Sequence, residues 1–211
     1  MNGIITGDII DSTSIPIEQR KDLLTAISVI SEELQVFSPL KCEIYRGDSF
    51  QIVVNRPEMA MLIAILLRAG LKSRVPKGSK QNWDARIAVG IGEIEFISDS
   101  ILVSDGEAFR LSGREFDELG KRNLAVRTRW EDANEELKIS TAFADDIITN
   151  WTSSQSLVIY MSLAYQMTQK EIAEKLGQSS QNISKLSNVA KEKLIRTYIN
   201  RCTQIIMNKQ P

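Results

Sequence analysis

The sequence predicts an α+β domain followed by an all-helical region. Over residues 3–94, apolar runs typical of strands alternate with amphipathic helical segments in the order β-α-β-β-α-β. This order matches a ferredoxin-like layout, in which one antiparallel sheet carries helices on one face. From Trp130 onward the pattern is helical to the end of the chain.

Local signals set the bounds of the predicted elements. Ser38-Pro39 closes the first helix, and Pro57 opens the second at its first turn. Arg46-Gly47-Asp48-Ser49 is a hairpin signal between two short strands. The predicted elements are a strand over 3–10, a helix over 17–37, strands over 41–45 and 50–54, a helix over 57–72, a strand over 85–94, a helix over 105–120 and a further strand over 123–128.

Composition narrows the chemistry that the chain can perform. The sequence has no histidine, which excludes a histidine base and histidine metal ligands. Its two cysteines, Cys42 and Cys202, are too few for a zinc cluster or a disulfide framework. Any metal is therefore expected to be a hard cation held by oxygen, such as Mg²⁺ or Mn²⁺. The cysteine usage, the lack of a basic leader and the lack of a membrane-length apolar run predict a cytoplasmic protein.

Charge is divided unevenly along the chain. The 211 residues carry a net charge of −1. From Trp151 onward, eight Lys and Arg oppose three Glu, which gives this region a charge of +5. The rest of the chain has 18 basic and 24 acidic residues, a charge of −6. A basic terminal region favours a polyanionic partner; the alternative is a solvated basic helix face without a partner.

Residues 167–186 show the pattern of a helix-turn-helix. Thr168 followed by Glu171 is a capping box, which starts a helix. Gly177 ends that helix at a position that favours left-handed backbone geometry, and Ser179 can cap the next helix. A short helix, a glycine turn and a second capped helix are typical of a helix-turn-helix unit.

In such a unit the second helix enters the major groove of double-stranded DNA with residues near its N-terminus. Gln and Asn can bind adenine edges, Lys can bind guanine or phosphate, and Ser accepts several partners. The alternative is a plain helical hairpin used for packing or dimerisation. The predicted DNA-binding residues are Ser180, Gln181, Asn182, Ser184 and Lys185.

Two aspartates lie where the predicted sheet would bring them together. Asp8 ends the first strand, and Asp48 lies in the hairpin between the second and third strands. Two adjacent carboxylates repel each other unless a cation lies between them, and they suit Mg²⁺ or Mn²⁺ with a nucleotide triphosphate. The alternative is that both are turn residues, since Asp is common in turns.

The body, residues 3–118, contains the blocks G-D-I-I-D-S (7–12), R-G-D-S-F-Q (46–51), R-I-A-V-G-I-G-E-I (86–94) and S-D-G-E-A-F (104–109). These four blocks resemble those of the SatD family, bacterial proteins with a nucleotide-cyclase-like body and often a C-terminal helix-turn-helix. The same blocks are more distantly similar to class III nucleotidyl cyclases, and the resemblance covers about residues 3–118 together with the tail. Residues 161–194 also resemble the helix-turn-helix of sigma factors and LuxR-like regulators. The block that carries the resemblance in the tail is T-Q-K-E-I-A-E-K-L-G (168–177).

The resemblance implies roles for particular residues. Asp8 and Asp48 match the two metal aspartates of the cyclases. When the S-D-G-E-A-F block is aligned on Gly106, Arg110 takes the position of a ribose-binding Asn and Arg114 takes that of a phosphate-binding Arg. Cyclase sites of this class form between two subunits, so the resemblance also implies a homodimer.

The positions that select the base depart from the cyclase pattern. They fall on Ile44 and Val103, whose side chains cannot hydrogen-bond a purine. Gln51 and Arg86 lie on or near the sheet and could face the site. The departure points away from an ordinary adenylyl or guanylyl cyclase. It leaves a nucleotide-binding domain without turnover, a domain for another phosphorylated ligand, or a dimerisation scaffold.

Together these features predict a transcriptional regulator. The expected division is a cyclase-like domain over 1–130, a connecting helix over 131–150 and a helix-turn-helix domain over 151–211. The body would dimerise and sense a metal–nucleotide ligand, and the tail would bind double-stranded DNA. The alternative is an active Mg²⁺- or Mn²⁺-dependent nucleotidyl cyclase, or a related phosphoryl-transfer enzyme, with an appended helix-turn-helix.

Overall fold

The structure is a computed structural model that describes residues 1–45, 47–76, 78–79, 81–96, 98 and 100–210. Within these residues the chain forms five strands and eight α-helices. The strands are β1 (Asn2–Ile9), β2 (Leu40–Tyr45), β3 (Ser49–Val54), β4 (Ala85–Gly92) and β5 (Leu124–Thr128). The helices are α1 (Ile17–Leu34), α2 (Ala60–Ser73), α3 (Glu107–Asp117), α4 (Glu131–Thr149), α5 (Ser153–Ala164), α6 (Gln169–Leu176), α7 (Ser180–Val189) and α8 (Glu192–Lys209).

Most predicted elements are present, with shifted ends. The first helix ends at Leu34 rather than at residue 37. A short 3₁₀ turn, Pro57–Met59, precedes α2, so the α-helix itself begins three residues after Pro57. The hairpin between β2 and β3 is confirmed, although Arg46 lies outside the described residues. None of the helices in the described part of the chain has the length and apolarity needed to cross a membrane.

The sheet has the strand order β2-β3-β1-β4-β5. The β1–β3, β1–β4 and β2–β3 pairs are antiparallel, as predicted. The β4–β5 pair is parallel, and it adds to the antiparallel unit a further strand whose direction was not predicted. The pair is parallel because α3 connects the two strands, and a helical crossover lets the chain enter the second strand in the direction of the first.

Helices cover both faces of the sheet. Successive strand residues point to opposite faces. Ile5 on β1 belongs to the large core with α1 and α2, whereas its neighbour Ile4 packs with Ala108 and Phe109 of α3. The two helices of the predicted βαββαβ unit, α1 and α2, therefore share one face as expected, and α3 adds a helix on the other face. Apolar side chains on the second face, such as Val53, need a cover of their own, and α3 provides it.

The C-terminal helices share the main core with the sheet domain. Tyr160 of α5 and Ile195 and Ile199 of α8 belong to the same apolar cluster as α1 and α2. The α6–α7 pair packs on a smaller cluster that includes Ile172 and Ile183. The division into domains at 1–130, 131–150 and 151–211 stays a prediction, and one core extends through all three ranges.

A buried charge network joins α2, the start of β4 and α4. Arg68, with no exposed surface, donates to Asp84 at 2.8 and 2.7 Å and to Asp145 at 2.8 Å. Lys72 donates to Asp84 at 3.2 Å and to the Thr149 carbonyl at 2.9 Å. Burial alone would raise the pKa of Asp84, but the charge and hydrogen bonds of Arg68 outweigh it and lower that pKa. Two buried cations thus balance two buried carboxylates.

Candidate functional site

A row of polar residues crosses the sheet on the face that carries α3. In the strand register Tyr45 is opposite Ser49, Ser49 is opposite Asp8, and Asp8 is opposite Arg86. The Ile9 amide donates to the Asp48 carbonyl at 3.0 Å, so the end of β1 lies against the β2–β3 hairpin. The predicted proximity of the two segments that carry the aspartates is therefore confirmed.

Asp8 is held by a cross-strand ion pair. Arg86 on β4 donates to both oxygens of Asp8, through Nε at 3.1 Å and through Nη2 at 2.8 Å. This hydrogen bonding raises the pKa of Arg86, which stays cationic. Its guanidinium also lies 5.5 Å from the ring centre of Phe116 on α3, a cation–π distance. The cation beside Asp8 in this structure is therefore the guanidinium of Arg86, a side chain of the protein itself.

Asp48 interacts with a different part of the chain. Its Oδ2 accepts a hydrogen bond from Ser12 at 2.6 Å, and its Oδ1 accepts one from Ser49 at 3.4 Å. A cavity of about 210 Å³, lined also by Arg20 and Leu23 of α1, adjoins it. The carboxylate of Asp48 thus lies by the turn between β1 and α1, while that of Asp8 is bound to β4.

This geometry decides how well the two aspartates suit a divalent cation. Carboxylate oxygens are the right ligands for Mg²⁺ or Mn²⁺. However, both oxygens of Asp8 are bound by Arg86. Within the described ranges there is also no group of three Asp, Glu, Cys or His side chains that could hold a metal. As arranged, the residues do not fit a divalent-cation centre.

The two arginines that the alignment places at the ribose and phosphate positions, Arg110 and Arg114, lie on α3. Arg110 is bound by other acids, since it donates to Asp105 at 3.1 and 3.2 Å and to Glu95 at 2.5 Å. Arg114 is exposed and, in the part of the chain described, forms no ion pair with Asp8 or Asp48. The structure therefore does not connect either arginine to the aspartates through an ion pair.

The two positions proposed to select a base, Ile44 and Val103, lie in different environments. Ile44 packs against the large core, on the α1 side of the sheet. Val103 is 62% exposed in a short 3₁₀ turn before α3. The positions differ in environment, and neither side chain has a polar atom to offer a ligand.

A second polar row contains Gln51, which was singled out in the sequence, and Thr6 and Ser112, which were not. Gln51 donates to Thr6 at 3.3 Å, and the hydroxyls of Thr6 and Ser112 are 3.0 Å apart. Thr6 is two residues before Asp8 on β1, so the period-2 alternation of strands would have placed it on the same face. The predicted proximity of Gln51 and Arg86 to this face is confirmed.

The tail carries the local geometry predicted for a two-helix unit. The capping box of α6 is confirmed: the Thr168 side chain accepts from the Glu171 amide, and Glu171 accepts from the Thr168 amide at 2.7 Å. Gly177 has a φ of 61°, in the left-handed region. Ser179 caps α7 by accepting from the Asn182 amide at 3.2 Å. Hydrogen bonds therefore cap the starts of both α6 and α7, and the left-handed Gly177 ends α6 between them.

The predicted DNA-binding residues form one outward surface of α7. Ile183 is fully buried beneath this surface and anchors the helix to α6. The Asn182 side-chain amide donates to Gln178 at 2.8 Å, which orients it at the start of the helix. The exposed members of the surface are Ser180, Gln181, Asn182 and Lys185, and Ser184 is half-exposed.

Glu33 on α1 links the sheet domain to the tail. It accepts hydrogen bonds from Tyr160 of α5, from Tyr165 at 3.0 Å and from Arg74 at 2.9 and 3.0 Å. Burial raises the pKa of Glu33, but these hydrogen bonds and the charge of Arg74 outweigh it and lower that pKa. Lys175 of α6 lies 5.4 Å from the Tyr165 ring. The two-helix unit is thus connected to the body through a chain of polar and aromatic contacts.

Two solved structures are similar to the chain at low sequence identity. The active GGEEF domain of a diguanylate cyclase from Vibrio cholerae is 15% identical, with a TM-score of 0.41, and the match covers 59% of this chain and 81% of that one. A bacterial light-regulated adenylyl cyclase is 14% identical, with a TM-score of 0.40, and the match covers 59% of this chain and 74% of that one. No protein-family model matches the sequence, and no curated protein matches it. The function of the chain must therefore be inferred from its own residues.

Proposed function

We propose that the chain is a DNA-binding transcriptional regulator that acts as a cytoplasmic homodimer. The observation that carries this proposal is the polar, outward surface at the start of α7, in a capped two-helix unit with its own small core. A helix-turn-helix uses the first turns of its second helix to contact base edges in the major groove. A homodimer follows because such units usually bind two half-sites.

The side chains on this surface suit DNA. The amides of Gln181 and Asn182 can pair with adenine, and Lys185 can bind guanine or a phosphate. The region from Trp151 onward has a charge of +5, against −6 for the rest of the chain. A positive region beside a negative one favours binding of a polyanion through the tail.

For the body we propose a ferredoxin-like, nucleotide-cyclase-like domain of the SatD type. It would serve as the dimerising unit and as a sensor for a nucleotide or another phosphorylated ligand. The support is the four sequence blocks, the strand order β2-β3-β1-β4 and the polar rows on the sheet face. A ligand there can control the tail only if it binds one tail arrangement more tightly than another. The contacts of Glu33 with Tyr160 and Tyr165 provide a physical link for such a difference.

Replacing Asn182 with alanine tests the proposed readout directly. The variant is expected to bind a duplex enriched by the wild type more weakly by about 1–3 kcal/mol, and to lose preference at one base position. Lys185→Ala should also weaken binding. Fluorescence anisotropy measures both affinities. Asn208→Ala, at an exposed position of α8, is the matched control and should bind as the wild type does. Equal affinities for all four proteins would refute the assignment of α7.

The enzyme alternative makes a separate prediction. Because Arg86 binds both oxygens of Asp8, we expect no cyclic nucleotide when the protein is incubated with ATP, GTP, CTP or UTP and Mn²⁺. Mass spectrometry of the products measures this, with Asp48→Ala alongside. A cyclic product from the wild type that the variant does not make would establish the chain as a nucleotidyl cyclase and contradict the scaffold role of the body.

A further inference from the structure

A basic cleft lies beside the two-helix unit, away from the base-reading end of α7. It has a volume of about 480 Å³ and is bordered by the start of α6, the end of α7 and the start of α8. Its polar lining includes Gln169, Asn188, Lys191, Lys193 and Arg196. The cleft therefore adjoins the predicted DNA surface without sharing a residue with it.

The charge of this cleft is positive. Lys191 and Lys193 are exposed, and in the described part of the chain neither forms an ion pair. Glu192 is the one acid in the lining, and its carboxylate accepts from Ser162 at 2.5 Å and from Arg196 at 2.8 Å. Since Arg196 compensates the charge of Glu192, the two lysines supply the unbalanced charge of the cleft.

Lys191 lies in the turn between α7 and α8, and Lys193 lies in the first turn of α8. Lys191 has a φ of 58°, in the left-handed region, and precedes the first turn of α8. The Lys191 carbonyl accepts from the amides of Leu194 and Ile195 at 3.0 and 3.1 Å. Trp151 also donates through its indole nitrogen to the Ala190 carbonyl at 2.9 Å. Because the backbone of the turn is fixed at these points, the charges are presented from a rigid support.

We infer that this cleft binds a phosphate of the DNA backbone while the start of α7 contacts the bases. The inference rests on the proposed DNA binding and assigns a second contact to it. Phosphate contacts set the register and orientation of a protein on a duplex but carry no sequence information. The cleft would therefore add affinity for every DNA sequence, and its contribution would fall with salt as counterions are released.

The test is the salt dependence of binding to a fluorescein-labelled pool of random-sequence duplexes. The full-length wild type is compared with the double variant Lys191→Gly, Lys193→Ala. Glycine at residue 191 removes the charge and adopts positive φ readily, so the turn is kept. The matched control is Lys21→Ala, Lys138→Ala, which removes two charges from exposed positions of α1 and α4.

Each lost phosphate contact lowers the slope of log affinity against log salt by about 0.9. With one phosphate in each cleft, the slope of the double variant should therefore be less steep by about 0.9 for each bound subunit, and the control should keep the slope of the wild type. If the double variant keeps the wild-type slope while Asn182→Ala still weakens binding, the inference that the cleft binds a phosphate is refuted. The proposed function would then remain intact. An equal loss in the control would also refute the phosphate contact of the cleft. If the wild type binds no duplex, both the phosphate contact of the cleft and the proposed DNA-binding function are refuted.

Discussion

Replacing Asp84 with asparagine is expected to lower the free energy of unfolding by about 3–5 kcal/mol, the cost of breaking a buried ion pair. Asp84 is 5% exposed and accepts hydrogen bonds from both Arg68 and Lys72. Without its charge, Arg68 keeps Asp145 as a carboxylate partner, whereas Lys72 loses its ion pair and keeps the hydrogen bond to the Thr149 carbonyl. Urea denaturation followed by circular dichroism measures the change.

The control for this variant is Glu136→Gln. Glu136 forms an exposed ion pair with Arg201 at 2.7 Å, and exposed pairs contribute little to stability. A similar, small loss in both variants would show that the buried network is not a major source of stability.

The buried charge network around Asp84 also predicts how the stability of the protein changes as the pH is lowered. In the folded protein the charge of Arg68 holds the pKa of Asp84 below its ordinary value of 3.8. Because the native carboxylate binds a proton less tightly than the unfolded one, its contribution is complete above that value. It is lost as the pH falls through the native pKa. The Asp84→Asn variant should therefore lose less stability on acidification than the wild type.

Replacing Gly90 with alanine is expected to be the second most damaging change. A Cβ at this position on β4 would lie 2.3 Å from the carbonyl oxygen of Ala108 and 2.5 Å from the amide nitrogen of Ser112. Both are backbone atoms of α3, so the helix itself would have to move. Overpacking of this kind costs about 1–3 kcal/mol, and the rigidity of the neighbours favours the upper end. Thermal unfolding measures the loss.

Gly113→Ala is the matched control for this substitution. Gly113 lies within α3, and an added Cβ there meets nothing within 4 Å. Alanine is a better helix former than glycine by about 1 kcal/mol, so this variant should be as stable as the wild type or more stable. If both glycine variants lost stability to the same degree, the close approach of α3 to β4 would be contradicted.

Gly90 also bears on the resemblance to cyclases. It belongs to the block R-I-A-V-G-I-G-E-I, and its lack of a side chain has a packing reason that needs no ligand. Arg86, in the same block, is bound to Asp8. Part of the block therefore specifies how the sheet and α3 fit together, which is a property of the fold rather than of an activity.

Features that depend on near neighbours in sequence were predictable. The capping box at Thr168 and the left-handed turn at Gly177 are set by a few consecutive residues, and both are confirmed. The direction of β5 was not predictable in this way, because it depends on a crossover and on pairing with a distant strand. Arg68 directly follows the apolar run 59–67 in the sequence, yet it is fully buried. Its partners, Asp84 and Asp145, are far away in sequence, so no local pattern indicates them.

The candidate site also has features that the sequence predicts and features that depend on distant parts of the chain. The topology placed Asp8 near the hairpin that carries Asp48, and the register confirms this. Which cation lies beside Asp8 depends on the exact register of β1 and β4, which brings Arg86 opposite it. A shift of one residue would turn Arg86 to the other face of the sheet, and the sequence alone does not fix that choice.

The proposed function depends on contacts between α7 and the bases of DNA. The most direct test is selection of bound duplexes from a random-sequence library, with the full-length wild type and the double variant Gln181→Ala, Asn182→Ala. We expect the wild type to enrich an inverted repeat whose half-sites lie about one helical turn apart, as a helix-turn-helix dimer requires, and the variant to enrich no such sequence. No enrichment by the wild type, or the same sequence enriched by both proteins, would contradict the account.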